Sequence, residues 1–532
     1  MALVIRIGFT GRGSKNDIFK SSSLLLPANK KSVTLELFAH YPCKAGLNEK
    51  YNLNRNYKLK PKKIPYYFWK SFISLHSGRA GLPALILILI LSSCTPRLAP
   101  QEAPIQDPQE FTATGTASLP ENWWQSFEDP VLDSLVQQGL QENLFLAGNW
   151  QEYKAALAVV KRERSFLFPQ VDGFAGIDKN TPQGNFSQDF QLQTGLAASY
   201  EIDLWGRIRA GIQAEKFNAQ AVLRDYQAAA MTISAEISIT WYQLLTARRQ
   251  LELINQQIKT NEDIVKLIRA RFAGGQIRAV DILRQEQLLE STRDQKIFYE
   301  TNLEILKNRL AVLLGRPPQN IEEFSSGIIP NLPPLPETGL PLELVRRRPD
   351  LQRAYSLVLA ADRELAFAVR SKFPVISIEA QGRFNSADIN KLFENWTYSL
   401  AGNLVAPLIY GGRLSAEADR AEAVKNQRLF EYGQAVLTAF EEVENALFQE
   451  YKQIERLEVL ERRLDLSAKT SKQLRIEFLN GLSPYLDVLL ALDEQQQLER
   501  EILEARQELL EIRIGLYRAL AGAFDPPETS SL

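Results

Sequence analysis

The sequence predicts an internally duplicated membrane protein, with four membrane-length β-strands and two very long helical hairpins per chain. Three observations carry that prediction. The first is a repeat at a fixed offset. Gly206-Arg207 recurs as Gly412-Arg413, and Arg269, Phe272, Gly275 and Asp281 recur as Arg475, Phe478, Gly481 and Asp487, each 206 residues on. Phe168-Pro169 recurs as Phe373-Pro374, 205 residues on. An offset held over so long a span marks a duplication, and a duplication constrains the fold before any single element does. The second is alternation of apolar and polar residues in segments near ten residues long, the length of a tilted membrane-spanning strand. The third is a stretch, 212–273, with neither Gly nor Pro, and its counterpart 413–480 with Gly433 alone. Helices of that length reach about 90–100 Å, which no globular core requires.

Ahead of the repeat, residues 82–93 (LPALILILILSS) are an apolar run too short to span a bilayer as a helix. The basic, aromatic stretch 58–70 precedes it and small residues close it, so 58–93 reads as a secretory signal. Leu91-Ser92-Ser93-Cys94 resembles a bacterial lipobox, in which the cysteine is lipidated and becomes the mature N-terminus. Several acyl chains on Cys94 would give stable anchoring. Residues 1–57 fit neither a signal nor a domain and read as a non-native extension from an upstream start assignment. The next methionine is Met231, so a start nearer the signal would use a non-AUG codon. Residues 94–121 are a lipid tether.

The first repeat covers 122–316. A helical stretch at about 127–167 ends at Phe168-Pro169 and is followed by a weakly alternating strand at 170–178. In the next strand Leu192, Thr194, Leu196, Ala198, Tyr200 and Ile202 alternate with Gln193, Ser199 and Glu201. The long helix then runs to a sharp turn at Gly274-Gly275, and a return helix ends at Gly315. A proline-rich connector occupies 317–341. The second repeat, 342–522, has the same parts in the same order. They are a helix over 343–372, strands around Ile376–Phe384 and Tyr398–Leu404, the second long helix, a turn at Asn480-Gly481, and a return helix with Ser483 as N-cap and Pro484 at its first position. Residues 523–532 are a short tail. Along the first long helix Ile254, Ile258, Val265, Ile268 and Phe272 form a coiled-coil seam, and four of them reappear as Leu460, Leu464, Leu474 and Phe478.

Composition narrows the chemistry. The formal charge of -1 at pH 7 gives no electrostatic footprint for nucleic acid. The histidines are His40 and His76 and the cysteines Cys43 and Cys94, so nothing after Cys94 can supply imidazole or thiolate. Zinc sites, cysteine nucleophiles and imidazole triads are thereby excluded from the repeats, and no enzyme and no cofactor beyond the covalent lipid is expected. Four strands cannot close a barrel, and open sheet edges do not survive in lipid. Other copies of the chain must complete the sheet, with its polar face lining a lumen.

Certain stretches carry a family resemblance. They are Asn122-Trp123-Trp124 to Phe127 with Asp129-Pro130, Asp203-Leu204-Trp205-Gly206-Arg207, Arg346-Arg347-Arg348-Pro349-Asp350, Pro407 to Arg413, and Leu486-Asp487-Val488-Leu489. In this order, over essentially all of 120–522, the chain resembles the TolC family of outer-membrane efflux proteins, specifically its lipoprotein branch serving RND-type multidrug pumps. The resemblance implies a membrane β-barrel plus a long α-helical barrel, in a homotrimer closing twelve strands. It also implies a lipid-anchored place in the bacterial outer membrane and a periplasmic tube that tapers shut at its helix turns. A periplasmic adaptor and an inner-membrane RND-type pump would dock there. In the family a carboxylate just after each turn constricts the pore, and Asp281 and Asp487 fall on those positions. Leu490 stands where the efflux prototype has a second acid. Phe478 replaces a tyrosine that bonds across the tips, and with Leu490 it suggests a more apolar closure; Tyr485 is a further candidate gate residue there. Gly275, Gly481 and Asn480 would be the tip positions that meet the adaptor. Other expectations are an outer-membrane exit for secreted proteins (type I secretion) or for metal cations and, at a greater remove, a periplasmic adaptor lipoprotein. An adaptor would carry one helical hairpin rather than two.

Overall fold

The computed structural model describes residues 2–13, 110–117, 120, 122–180, 189–318, 329–339 and 341–520. Cys94, the signal at 58–93, most of the 1–57 extension and of the tether, and the 523–532 tail lie outside the described residues. The strands are β1 (Ala2–Gly13), β2 (Gln170–Asn180), β3 (Asp189–Ile202), β4 (Val375–Ser386) and β5 (Trp396–Pro407), all antiparallel in the order β1-β5-β4-β3-β2. The four expected strands are present and slightly longer than their alternation indicated. β1 is the departure. Its backbone pairs along β5, with Ala2 opposite Pro407, so part of the supposed extension lies on one sheet edge while β2 keeps the other.

The register explains the alternation. Ile202 faces Ile376, Tyr200 faces Ile378 and Ala198 faces Ala380 across β3–β4, and the same residues of β4 face Leu404, Gly402 and Leu400. One face is therefore continuous apolar surface, and Leu196, Ile177, Leu400 and Leu404 on it are exposed in a single chain. Glu379, Gln381, Ser199 and Asn403 occupy the opposite face. Trp396, Tyr398 and Phe384 cluster at one strand end, as at a membrane interface.

The helices are α1 (Pro130–Glu142), α2 (Leu144–Ser165), α3 (Arg207–Ala273), α4 (Ala279–Leu313), α5 (Pro341–Arg347), α6 (Pro349–Arg370), α7 (Arg413–Leu479) and α8 (Tyr485–Leu520). The two long ones, α3 and α7, are 67 residues each, so the duplication holds to the residue. Both begin at a left-handed glycine, Gly206 and Gly412 (φ 75° and 82°), where the chain leaves the sheet. Each shorter helical stretch splits in two. At Asn143 the side chain leaves the helical pattern to accept from the Phe145 and Leu146 amides and to donate to the Leu313 carbonyl. At Arg348 the backbone is extended before Pro349. No described helix is long and apolar enough to cross a membrane.

Trp123, Trp124 and Phe127 anchor the largest core, packed with Trp241, Tyr242 and Tyr517, and Trp123 stacks on Tyr517 at 5.7 Å. Asp129 caps α1 and also accepts from the Trp241 indole at 2.8 Å, tying the segment to α3. Arg348, at the start of α6, is buried. It pairs with Asp350 and Glu442, each at 2.7 Å, because α6 packs its first turn against α7. A second buried pair, Arg513–Glu450, ties α8 to α7 and donates to the Pro334 carbonyl of the connector. Such pairs are costly to break singly.

Candidate functional site at the helix tips

Each hairpin turns through the same device. The Gly275 and Gln276 amides donate to the Phe272 and Arg271 carbonyls, and those of Gly481 and Leu482 to Phe478 and Glu477, closing both helices with a left-handed glycine (φ 72° and 74°). A Cβ at either glycine would meet nothing within 4 Å, so φ alone demands glycine there. The Asn480 amide group adds a bond to the Ile476 carbonyl at 2.9 Å. Leu482, 78% exposed, and Leu490 project from the second tip and Leu283 from the first, so the turns present an apolar, open surface.

Beneath that surface the two hairpins meet. Phe478 and Tyr485 are buried with Ile268, Val488 and Leu489, and their rings lie edge to face at 5.3 Å. Arg271 of the first hairpin covers the Phe478 ring at 5.2 Å. The Tyr485 hydroxyl donates to Gln285 Oε1, so a residue of the second repeat is bonded to one of the first. Burial, and then the negative charge of Asp281, push the Tyr485 phenol above its ordinary value.

From Gln285 a line of buried polar groups runs up the interface. Gln285 Nε2 donates to Asn261 Oδ1 at 3.4 Å, and Asn261 Nδ2 donates to Thr292 Oγ1 at 3.0 Å and Gln496 Oε1 at 3.2 Å. Gln257 Nε2 donates to the Gln496 carbonyl at 3.1 Å, and Arg500 donates back to Gln257 Oε1 at 2.6 Å. These groups join α3 and α4 to α8. The expected site residues did not include them, although one signal was available. Asn261 stands seven residues after Ile254 and seven before Ile268, an amide on the coiled-coil seam.

The two repeated aspartates sit differently. Asp281 is 3% exposed, and its carboxylate accepts from the backbone amide and guanidinium of Arg278, with Arg284 at 3.8 Å. Asp487 is half-buried and accepts the Ser483 hydroxyl at 3.1 Å. The helix α8 opens at Tyr485, one residue after the expected proline start, and the Ser483 hydroxyl ahead of it donates to this carboxylate. Among the expected residues, Phe478, Tyr485 and Asp281 are brought close to the hairpin interface, Asp487, Asn480 and Gly481 share the second tip, and Gly275 forms the first. Among the described residues no His/Cys/Asp/Glu cluster could hold a metal.

The family model described as "Outer membrane efflux protein" matches residues 135–316 and 340–522, each repeat once. The chain belongs to that family. Among curated relatives, the "Pyoverdine export outer membrane protein OpmQ" of Pseudomonas aeruginosa is 28% identical over 476 residues, covering 84% of this chain and 97% of the relative. The "Cation efflux system protein CusC" of Escherichia coli is 25% identical over 465 residues, 82% of this chain and 97% of the relative. Among solved structures, the outer-membrane channel OprN superposes with a TM-score of 0.74 at 26% identity, covering 80% of this chain and 98% of that one. The outer membrane efflux protein fold, TolC-like, thus accounts for the duplicated hairpins and the sheet. The family is one of channels rather than enzymes.

Proposed function

We propose that the chain is the exit duct of a tripartite efflux pump, a homotrimer of twelve strands in the outer membrane, anchored by a lipid on Cys94. One observation carries the reading. A sheet with a continuous apolar face and a polar opposite face is joined to helices about 100 Å long that turn back at left-handed glycines. Three copies would close the sheet around its polar face, and the helices would carry that lumen across the periplasm. Conduction is then passive diffusion through water. Closure belongs to the tips, where Phe478, Tyr485, Asp281 and Asp487 lie. The adaptor would meet the exposed turns at Gly275, Asn480 and Gly481, below which the RND-type pump delivers cargo. Opening requires the two hairpins to part at the Tyr485–Gln285 contact. In an assembled trimer, three Asp487 carboxylates near one axis would favour cations at the mouth.

Relatives are named for pyoverdine export and for cation efflux, so the class of cargo is set outside the duct. Deleting the gene should raise susceptibility to the pump's substrates, and the wild-type chain should restore resistance. A deletion without any change in export would sink the reading. Cys94→Ser should lose the acyl mass from the mature N-terminus.

A further inference from the structure

The duplication extends to the strand register, and from it we infer how β5 of one copy meets β2 of the next; the inference rests on the trimeric reading. Gln170 faces Ser199 in the first hairpin of strands and Val375 faces Val405 in the second. These are the same two positions advanced by 205 and 206 residues, so each strand has a fixed counterpart. β3–β4, the joint between repeats inside one chain, is then a template for the joint between chains. Ile202 opposite Ile376 becomes Leu408 opposite Val171 of the next copy. Likewise Tyr200 opposite Ile378 becomes Ala406 opposite Gly173, and Ala198 opposite Ala380 becomes Leu404 opposite Ala175. Each transposed pair is apolar on the lipid side, which a one-residue slip would destroy.

The template also shows what the joint between chains lacks. Inside the chain, Trp205 stacks on Phe373 at 5.2 Å and donates to the Pro374 carbonyl at 2.8 Å, while Arg370 donates to the Gly206 carbonyl at 2.8 Å. The counterparts of Trp205, Phe373, Pro374 and Arg370 are Gly411, Phe168, Pro169 and Ser165. Phe168 is 61% exposed and Pro169 is exposed, whereas Phe373 and Pro374 are half-buried. A Cβ on Gly411 or Gly412 would meet nothing within 4 Å, whereas one on Gly206 would meet Arg370 at 3.2 Å. The occupant of the Phe168–Pro169 surface is therefore the Gly411-Gly412 backbone of a second copy, which can approach closely because it has no side chain. Two kinds of joint alternate around the ring, one clamped by Trp205 and Arg370 and one unclamped.

β1 lies on the same edge of β5, with Ile5 opposite Leu404, and must leave it for the next copy to pair. Cysteine cross-linking in the full-length chain, in a Cys43→Ser background, decides among the occupants. Oxidised Ala175→Cys/Leu404→Cys should give covalent trimers. Ile177→Cys/Leu404→Cys should give about tenfold less, because a two-residue slip separates the Cα atoms beyond disulfide reach. Light scattering of each variant in detergent reports the particle mass. A trimeric particle that cross-links equally or better in the slipped pair, or not at all, overturns the register while leaving the trimer standing. A monomeric particle overturns the trimer. An intrachain link in Ile5→Cys/Leu404→Cys from mature membranes would show the edge held by the chain's own N-terminal strand, against the inference.

Discussion

The two helix tips are built from one repeated pattern, yet they hold their side chains in different ways. Phe272 and Phe478 are counterparts, but the first is 45% exposed and the second 9%. Ala279 occupies the place of Tyr485, and Arg278 that of Pro484. The first tip spends its arginine on Asp281 and leaves its phenylalanine outside. The second has no arginine there, and its tyrosine folds over Phe478 and reaches across to Gln285. Further up, Asn261, Gln285 and Thr292 of the first hairpin correspond to Ser467, Ala491 and Leu498 of the second. One hairpin offers polar groups to the interface and the other supplies Tyr485 and Gln496 to meet them. Duplication fixed the backbone, and divergence at a few positions made the contact between the two hairpins, the second tip supplying Tyr485 and the first supplying Gln285 to receive it.

That difference can be broken at its centre. Tyr485→Ala should cost about 3–5 kcal/mol at the tip cluster by leaving a cavity. Faster hydrogen exchange over 474–490 and entry of a large antibiotic normally excluded by the outer membrane would register it. Ala279→Tyr at the matching exposed position should change neither. Asn261→Leu should cost about 1–3 kcal/mol, since Gln285 and Gln496 lose a buried partner. Its counterpart Ser467→Ala should be close to neutral, because the Ser467 hydroxyl is buried without a hydrogen-bond partner. Thermal unfolding of the purified protein separates the two. Asp281→Asn should cost about 1 kcal/mol through the lost cap interaction. Asp487→Asn should stay within about 0.5 kcal/mol of wild type and lower the cation preference of the channel, measured as a reversal potential in asymmetric salt.

A pH titration gives the smallest effect. The Tyr485 phenol is raised in the folded chain, so its contribution is complete below its ordinary value near 10.0 and is lost as pH rises above it. Wild type should therefore lose tip stability faster than Tyr485→Phe between about pH 10 and 11; hydrogen exchange or melting curves that run parallel would remove the phenol from the account.

Much of the fold was legible because its signals are periodic. The fixed offset, the strand alternation and the absence of Gly and Pro each repeat over tens of residues, and the helix ends at Ala273 and Leu479 fall where the glycines predicted them. The tip was legible only by position. Asp281 and Asp487 look equivalent in sequence, and the arginine that engages one of them lies three residues away in the same turn, a local fact of packing. The Tyr485–Gln285 bond joins residues 200 positions apart, and no periodicity announces it. Arg348 is equally hard to place from its neighbours in sequence, since its partner Glu442 stands on α7, far along the same repeat. β1 was missed because pairing with an open edge is decided by the edge.

Conductance in a planar bilayer tests the central claim, that the molecule is a duct shut by its second hairpin tip. The purified wild-type protein should pass only small, brief currents, and Tyr485→Ala should pass sustained currents many times larger through otherwise similar channels. Wild-type currents already at the level of the variant, or a variant as closed as wild type, would contradict the account.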